Sequence, residues 1–456
     1  MKKSKNGARA VEQESLGEVK LVKIQKSTFG YFLKEANLGN GMVPDSTRQD
    51  SAASIAAIGF ALTAYPVGVE RGFVTRAEAV KRTLTTLRFF RESEQSAANN
   101  ATGYEGFYYH FLDMETGRRA HDSELSTIDS AFLFAGMLTA ARYFNRDTAP
   151  EREIREHADA LFARANWQWA LNGKLKVSHG WKPGEGFLEP VWEGYSEALI
   201  LYLLGLGAPD FSLPAASYEA WTQSYEWKEL CGLEFLYAGP IFIHQLSHVW
   251  VDFRGIQDDY MRAKGITYFD NSRRATLIQQ EYAVRNPNKF TGYGKYCWGI
   301  TASDGPGPAK RKINGRTREF FDYLARGVPD GPDDGTLAPW AILASLPFAP
   351  EIVLPSIKHF DDNFPEMTSK YGFKCSYNPT FSNGPKKGKK GWISQGYYGL
   401  DQGPIVMMIE NYRSGFLWRL MRDCPVILRG LRRAGFTGGW LGAETKRVIP
   451  SEGSYF

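Results

Sequence analysis

The chain has 456 residues, 43% hydrophobic and 23% charged, which excludes a disordered protein and allows two or three domains or one large helical barrel. A net charge of +5 is small for this length, and no basic stripe accompanies a reading motif, so no nucleic-acid partner is expected. Nothing resembles an apolar run of about 18 residues, so no membrane span is expected either. The opening MKKSKNGARAVEQES has lysines without a following hydrophobic core, so no leader is expected in this chain. Its default compartment is then the cytoplasm, or the periplasm or exterior if a signal peptide was removed. A monomer is expected.

Residues 1–25 read as a polar N-terminal arm, and 26–456 as a single domain. DSAASIAAIGFALTAY (50–65) predicts a small-residue helix whose backbone can approach a neighbour closely. Thr75 and Glu78 have the spacing of a helix start, with Val80, Leu84 and Leu87 supplying the buried face. The stretch 99–117 is aromatic and punctuated by glycine, which suits a loop or short strands. HDSELSTIDSAFLFAGMLTAARYF (121–144) then organises the rest. Ser126 and Asp129 form a capping pair, and Ile128, Ala131, Phe132, Ala135 and Leu138 follow at helical spacing. Phe134, Met137 and Ala141 make a second apolar flank, as in a helix enclosed by other helices.

Further helices are predicted over 150–173 and 192–206, separated by a glycine-rich loop at 178–187. Others fall near 216–229, 241–263, 268–286, 316–326, 337–359, 404–420 and 424–434. Roughly a dozen helices in about six pairs fit an all-α toroid of inner and outer helices, the (α/α)6 barrel, with long loops forming a cleft at one end. An irregular all-α bundle is the alternative. The four cysteines are scattered without C-x-x-C, predicting isolated buried thiols. The cluster Lys386-Lys387-Gly388-Lys389-Lys390 reads as a solvated loop.

Acidic residues gather beside aromatics and glycines at Asp122/Glu124/Asp129, Glu193/Glu197, Asp252/Asp258/Asp259, Asp304, Asp333/Asp334 and Asp401. Glycosidic hydrolysis needs one protonated carboxyl to assist the leaving oxygen and one ionised carboxyl to activate water or attack directly. Glu197 is either a helix-surface charge or a buried acid, since Leu199, Ile200 and Leu203 make its surroundings apolar. Asp129 reads first as a capping acid, and Asp401 could equally cap the helix that follows. His244, His248 and Asp252 are four apart, a spacing that could hold a metal or make hydrogen bonds within the fold and to sugar hydroxyls. TASDGPG (301–307) reads as a rigid turn presenting Asp304. G-x-S-x-G, the P-loop and a Rossmann glycine motif are absent from the sequence.

Seven segments together carry a resemblance: GFYYHFLDMETGRRAHDSELSTID, GWKPGEGFLEPVWEGYSEA, HQLSHVWVDFRGIQDDYM, NSRRAT, TASDGPGP, DDGTLAPWAILASLPFAPE and LDQGPIVMMIENYRSGFLW. In this order they resemble the glucoamylase-like (α/α)6 barrels, over about residues 25 to 445. The nearest members are bacterial β-1,2-glucanases of glycoside hydrolase family 144. More distant ones are the transglycosylase domains of cyclic β-1,2-glucan synthases.

The resemblance implies inverting cleavage of linear β-1,2-glucan to sophorose or short oligosaccharides, with no metal or other cofactor. By motif position Glu197 is similar to the general acid. Glu124 resembles a cleft glutamate that is the nucleophile in the retaining relatives, and Asp401 is the candidate water-activating base. Burial beside Trp192 and Tyr195 would keep a proton on the acid, and Arg254 or a helix N-terminus would keep the base ionised. Asp122, Asp129 and Glu193 are counted with the cleft, and Trp181, Trp192, Trp250, Trp392 and Tyr397 are candidate sugar platforms. Arg254, Asp252, His244, Gln245 and Asp304 are candidates for hydroxyl contacts. Competing readings are a retaining β-1,2-glucan transglycosylase, a non-catalytic glucan-binding protein, and a polysaccharide lyase, which would want a basic cleft.

Overall fold

The computed structural model describes residues 2–313, 315–381 and 391–442, with side chains from residue 18 onward; the lysine cluster at 386–390 lies outside them. The first helix, α1 (Lys2–Lys34), covers the segment expected as a polar arm. Leu21, Ile24, Gln25, Thr28 and Phe32 recur at helical spacing on its buried face, so the core starts ahead of residue 26.

The sequence signals then place most of the helices. Following α1 come α2 (Ile55–Glu70), α3 (Arg76–Glu92), α4 (Thr127–Tyr143), α5 (Ala149–Ala163), α6 (Leu199–Gly207) and α7 (Ala215–Thr222). They are followed by α8 (Asp259–Lys264), α9 (Tyr268–Arg285), α10 (Pro339–Ala344), α11 (Pro350–Asn363), α12 (Gly399–Ser414), α13 (Phe416–Arg422) and α14 (Pro425–Arg433). The predicted caps form: Thr75 accepts from the Glu78 N–H, and Ser126 from the Asp129 N–H, each at 3.2 Å. The strand content among the described residues is short two-stranded pairs and one five-stranded sheet.

Four predicted helices are corrected. The 241–263 segment forms two 3-10 turns, Ile241–His244 and Leu246–Val249, before α8. The residue joining them, Gln245, spends its side-chain amide on the Ala341 carbonyl and the Ser345 hydroxyl, both at 2.7 Å, which fixes the junction by tertiary bonds. The 316–326 segment is instead a strand, Arg316–Phe320, paired antiparallel with Ala309–Ile313. Likewise 216–229 stops at Thr222 and continues as the strand Trp227–Leu230, and 192–206 becomes helical only at Leu199.

Small residues decide how the helices meet. A Cβ added to Gly59 in α2 would lie 2.3 Å from the Phe132 carbonyl oxygen, and one on Gly136 in α4 would lie 2.2 Å from that of Gly59. Neither fits, so α2 and α4 touch main chain to main chain. Around this pair the contacts continue in series. α4 packs on α6, and α10 packs on the turns at 241–249 and on α12, which in turn packs on α2. Between α6 and the turns, the Ser247 hydroxyl accepts from the Ile200 N–H at 3.1 Å. Of the remaining helices, α1 packs on α12, α3 on α2 and α5, α5 on α4, α11 on α10 and α14 on α6.

A five-stranded antiparallel sheet covers one end. Numbered along the chain, its strands lie among β1 (Ala53–Ser54), β2 (Gly103–Tyr104), β3 (Phe107–Tyr109), β4 (Phe111–Leu112), β5 (Leu125–Ser126), β6 (Gly180–Lys182) and β7 (Gly186–Phe187). The sheet order is β2-β3-β5-β6-β7, while β1 pairs with β4. This brings the residues before α4 beside the glycine-rich loop expected at 178–187.

Candidate active site

One cavity of about 640 Å³ opens where several central helices begin. Ser54 caps α2, Ser126 caps α4, Glu197 stands just ahead of α6, Trp340 is in the first turn of α10, and Tyr398 precedes α12; all five line the cavity. Free N–H groups and aligned peptide dipoles at helix starts favour negative charge there.

Four carboxyl groups line the wall: Asp45, Glu124, Asp129 and Glu197. His110 stands among them, with Nδ1 2.9 Å from Glu124 Oε1 and Nε2 3.6 Å from Asp129 Oδ2. The predicted capping acid Asp129 therefore has a second role: its Oδ2 accepts from Ser126 Oγ at 2.5 Å and also faces the cavity. Room for Glu124 comes from Gly180, opposite Ser126 in the β5–β6 ladder, where a Cβ would sit 3.1 Å from Glu124 Cγ.

The environments separate the acids. Burial raises the Glu197 carboxyl to about 7, and the neighbouring Asp129 charge adds to the rise, so it carries a proton through mildly acidic conditions. Burial would raise Glu124 too, but its hydrogen bond with His110 and the charge there bring it below the ordinary glutamate value. Burial raises Asp45 to about 6, with the His110 charge opposing. Burial alone would lower His110; Asp129 and Glu124 outweigh it and raise the imidazole to about 9. The cavity thus holds a protonated carboxyl and an ionised one, the two states glycosidic hydrolysis requires.

Trp192 lines the cavity, stacked on His179 with centroids 3.9 Å apart and locked by its Nε1–H to Thr127 Oγ1 at 3.0 Å. Trp181 does not. It pairs with Leu125 in the ladder, so it shares Leu125's face, away from Glu124, and packs on Tyr104 and Trp169. Trp250 is core, stacked on Phe60 and Phe132. Tyr397 is buried against Tyr371, and Trp392 lies in a separate hairpin.

The other expected contacts are mostly structural. Asp122 is an exposed turn residue, and Glu193 is exposed and paired with Lys176 at 2.5 Å. Tyr195 is buried among Tyr225, His244 and Tyr268. His244 lies between the Ala238 carbonyl and Asn271, and His248 bonds Ser272 Oγ at 2.9 Å; they sit on different turns rather than one helical face. Asp252 is engaged by Arg254 at 2.8 Å and by Arg422, while Arg254 lies over the Trp418 ring. Gln245 is used as described above. Asp304 is fully buried, yet it holds Arg48, a cavity residue, at 2.6 Å and accepts from Ser394 Oγ at 2.7 Å.

Asp401 requires a correction. It is absent from the cavity wall formed by its neighbours Tyr398 and Leu400, and one carboxylate oxygen has no partner. Burial raises its carboxyl well above the ordinary aspartate value, with the Asp45 and Asp304 charges adding to the rise. Neither its place off the cavity wall nor its raised carboxyl favours the base role. His110, Asp45, Arg48 and His179 were not singled out beforehand; only their convergence from separate loops gives them meaning.

The family profile described as "Putative glucoamylase" matches residues 190–425, just over half of the chain. The chain belongs to the glucoamylase-like family. A family member of known structure, described as a "putative glucoamylase" from Bacteroides uniformis, is 31% identical with a TM-score of 0.81, covering 92% of this chain and 98% of that one. The endo-β-1,2-glucanase from Chitinophaga pinensis, solved with sophorotriose and glucose, is 27% identical with a TM-score of 0.81, covering 92% and 99%. A curated relative from Parabacteroides distasonis, an exo β-1,2-glucooligosaccharide sophorohydrolase acting at the non-reducing end, is 27% identical over 446 residues. That match takes in 90% of this chain and 57% of the relative, so the chain spans little more than half the relative's length.

Proposed function

We propose that this glucoamylase-like protein is a glycoside hydrolase that cleaves β-1,2-glucosidic bonds of linear β-1,2-glucan, releasing sophorose or short oligosaccharides with inversion. The observation that carries the reading is the pairing of a proton-bearing Glu197 with an ionised Glu124 in one cavity. The linkage rests on the relatives: one is a β-1,2-glucanase and another a sophorohydrolase. The series of contacts running from α2 through α4, α6, the 241–249 turns, α10 and α12 back to α2 supports an (α/α)6 toroid with the cavity at its loop-bearing end.

In this mechanism Glu197 gives its proton to the oxygen joining two glucosyl units as that bond breaks. A water on the opposite face attacks the anomeric carbon, and its proton passes to Glu124, which replaces Asp401 as the base. Trp192 with His179, and Tyr398 with Tyr323, supply flat faces for pyranose C–H groups; Tyr323 and Tyr398 have centroids 5.9 Å apart. Because an ionised Glu124 could also attack carbon directly, a retaining transglycosylase is the second reading. Proton NMR of the first product anomer separates the two.

The deciding experiment is a panel of linear and cyclic β-1,2-glucan, laminarin, cellulose and starch, with products read by size. Short β-1,2 products from the linear glucan alone are expected. Turnover of starch or laminarin instead, or of nothing at all, would sink the reading.

A further inference from the structure

His110 occupies a position that a neutral imidazole fits poorly. Its two ring nitrogens face two carboxylates, Glu124 at 2.9 Å and Asp129 at 3.6 Å. A neutral ring has a single N–H and would turn a lone pair towards one of those carboxylates; an imidazolium donates to Glu124 and presents its second N–H to Asp129 at ion-pair distance. Phe111 lies parallel to the ring, with centroids 4.0 Å apart and planes 12° apart, which fixes the plane in which both nitrogens point.

We propose that His110 works as an imidazolium, a positioning residue that donates to Glu124 and presents its second N–H to Asp129, keeping the base Glu124 ionised while Glu197 keeps its proton. This rests on the hydrolase reading of the cavity. The surrounding charges leave the task to His110. Asp45 adds a third carboxyl on the same side, and Glu197 senses Asp129. Arg48, the other cationic side chain on the wall, is committed to Asp304. Near Glu124 lie Lys182, which lines no part of the cavity, and His179, which burial lowers and which stacks on Trp192. Without the imidazolium, burial would be left to raise Glu124, because the hydrogen bond and charge that bring it below the ordinary glutamate value come first from His110.

Two measurements on the intact chain test this. In an NMR titration of the imidazole C–H resonances, with His110 assigned from its absence in His110→Gln, its signal should titrate near 9 rather than at the ordinary 6.5 and should fall in Glu124→Gln. With linear β-1,2-gluco-oligosaccharides, His110→Gln should move the acid limb of kcat upward by about one pH unit or more, with little change in KM. Titration at or below 6.5, an acid limb coincident with that of the parent, or an equal loss at every pH would overturn the proposal. The titration needs neither substrate nor a folded variant beyond what assignment requires, and direct assignment in the parent chain replaces His110→Gln if that variant does not fold. A chain that leaves β-1,2-glucan uncut but shows the high titration would therefore fail the functional reading and not the charge state of His110.

Discussion

Two sets of buried acids in this protein differ in what neutralises them. Away from the cavity four are held by guanidinium groups: Asp334 by Arg326 at 2.8 Å with both side chains fully buried, Glu410 by Arg71 at 2.7 Å, Glu151 by Arg76 at 2.8 Å, and Asp252 by Arg254 and Arg422. All four carboxyls are lowered despite burial. On the cavity wall the acids have a histidine, helix starts and one another. An arginine never surrenders its proton in proteins, so the first set keeps constant charge and serves architecture. The second set can titrate, and only groups that titrate can move a proton.

The sharpest way to break that contrast is Glu197→Gln, which should lower kcat by about 10² to 10⁴-fold while leaving the melting temperature within a few degrees. Near-parental turnover would remove Glu197 from its role. On the architectural side, Arg326→Met takes the guanidinium from Asp334, leaving it only the Phe321 and Thr336 N–H groups, and should cost about 3–5 kcal/mol in urea unfolding. A loss below about 1 kcal/mol would show that the paired acids are no more fixed than the others.

pH separates the sets in opposite directions. The proposed mechanism needs Glu197 protonated, so kcat/KM should fall as pH rises through about 7. The stability given by Asp334, Glu410, Glu151 and Asp252 is present above their unfolded values, near about 4, and fades only as pH drops through their lower folded ones. An activity profile flat to pH 9 would contradict the first half. The smallest effect belongs to Glu193→Gln: its exposed pair with Lys176 should contribute less than about 1 kcal/mol, and turnover should be unchanged.

Much of this was legible along the chain, and the failures have physical causes. Ser126 and Asp129 announced the start of α4 because capping depends on residues three apart. Glu124, Glu197, Asp129 and Trp192 reached the cavity because their flanking apolar runs fixed how they enter it. His244, His248 and Asp252 misled because four-residue spacing has meaning only in an α-helix, and Gln245 breaks that segment through bonds to distant α10. Asp252 and Arg254, read as sugar contacts, satisfy each other. The Asn314-Gly315 dipeptide was a hairpin signal that the helical reading of 316–326 overlooked. His110 stood in a quoted motif, yet nothing in YYHFLD distinguishes it; its partners arrive from the residue just ahead of β5, from α4 and from the loop carrying Asp45.

The main-chain contact between Gly59 and Gly136 limits how this protein could change its diet. Ser54 and Ser126 ride on the two helices joined at that seam, so no intervening layer of side chains is available to widen or narrow the gap between them. Any shift towards longer or bulkier oligosaccharides must come from the rim, through the segments around Arg48, Leu188 and Tyr323. Relatives that differ in product length should diverge there and keep the glycines.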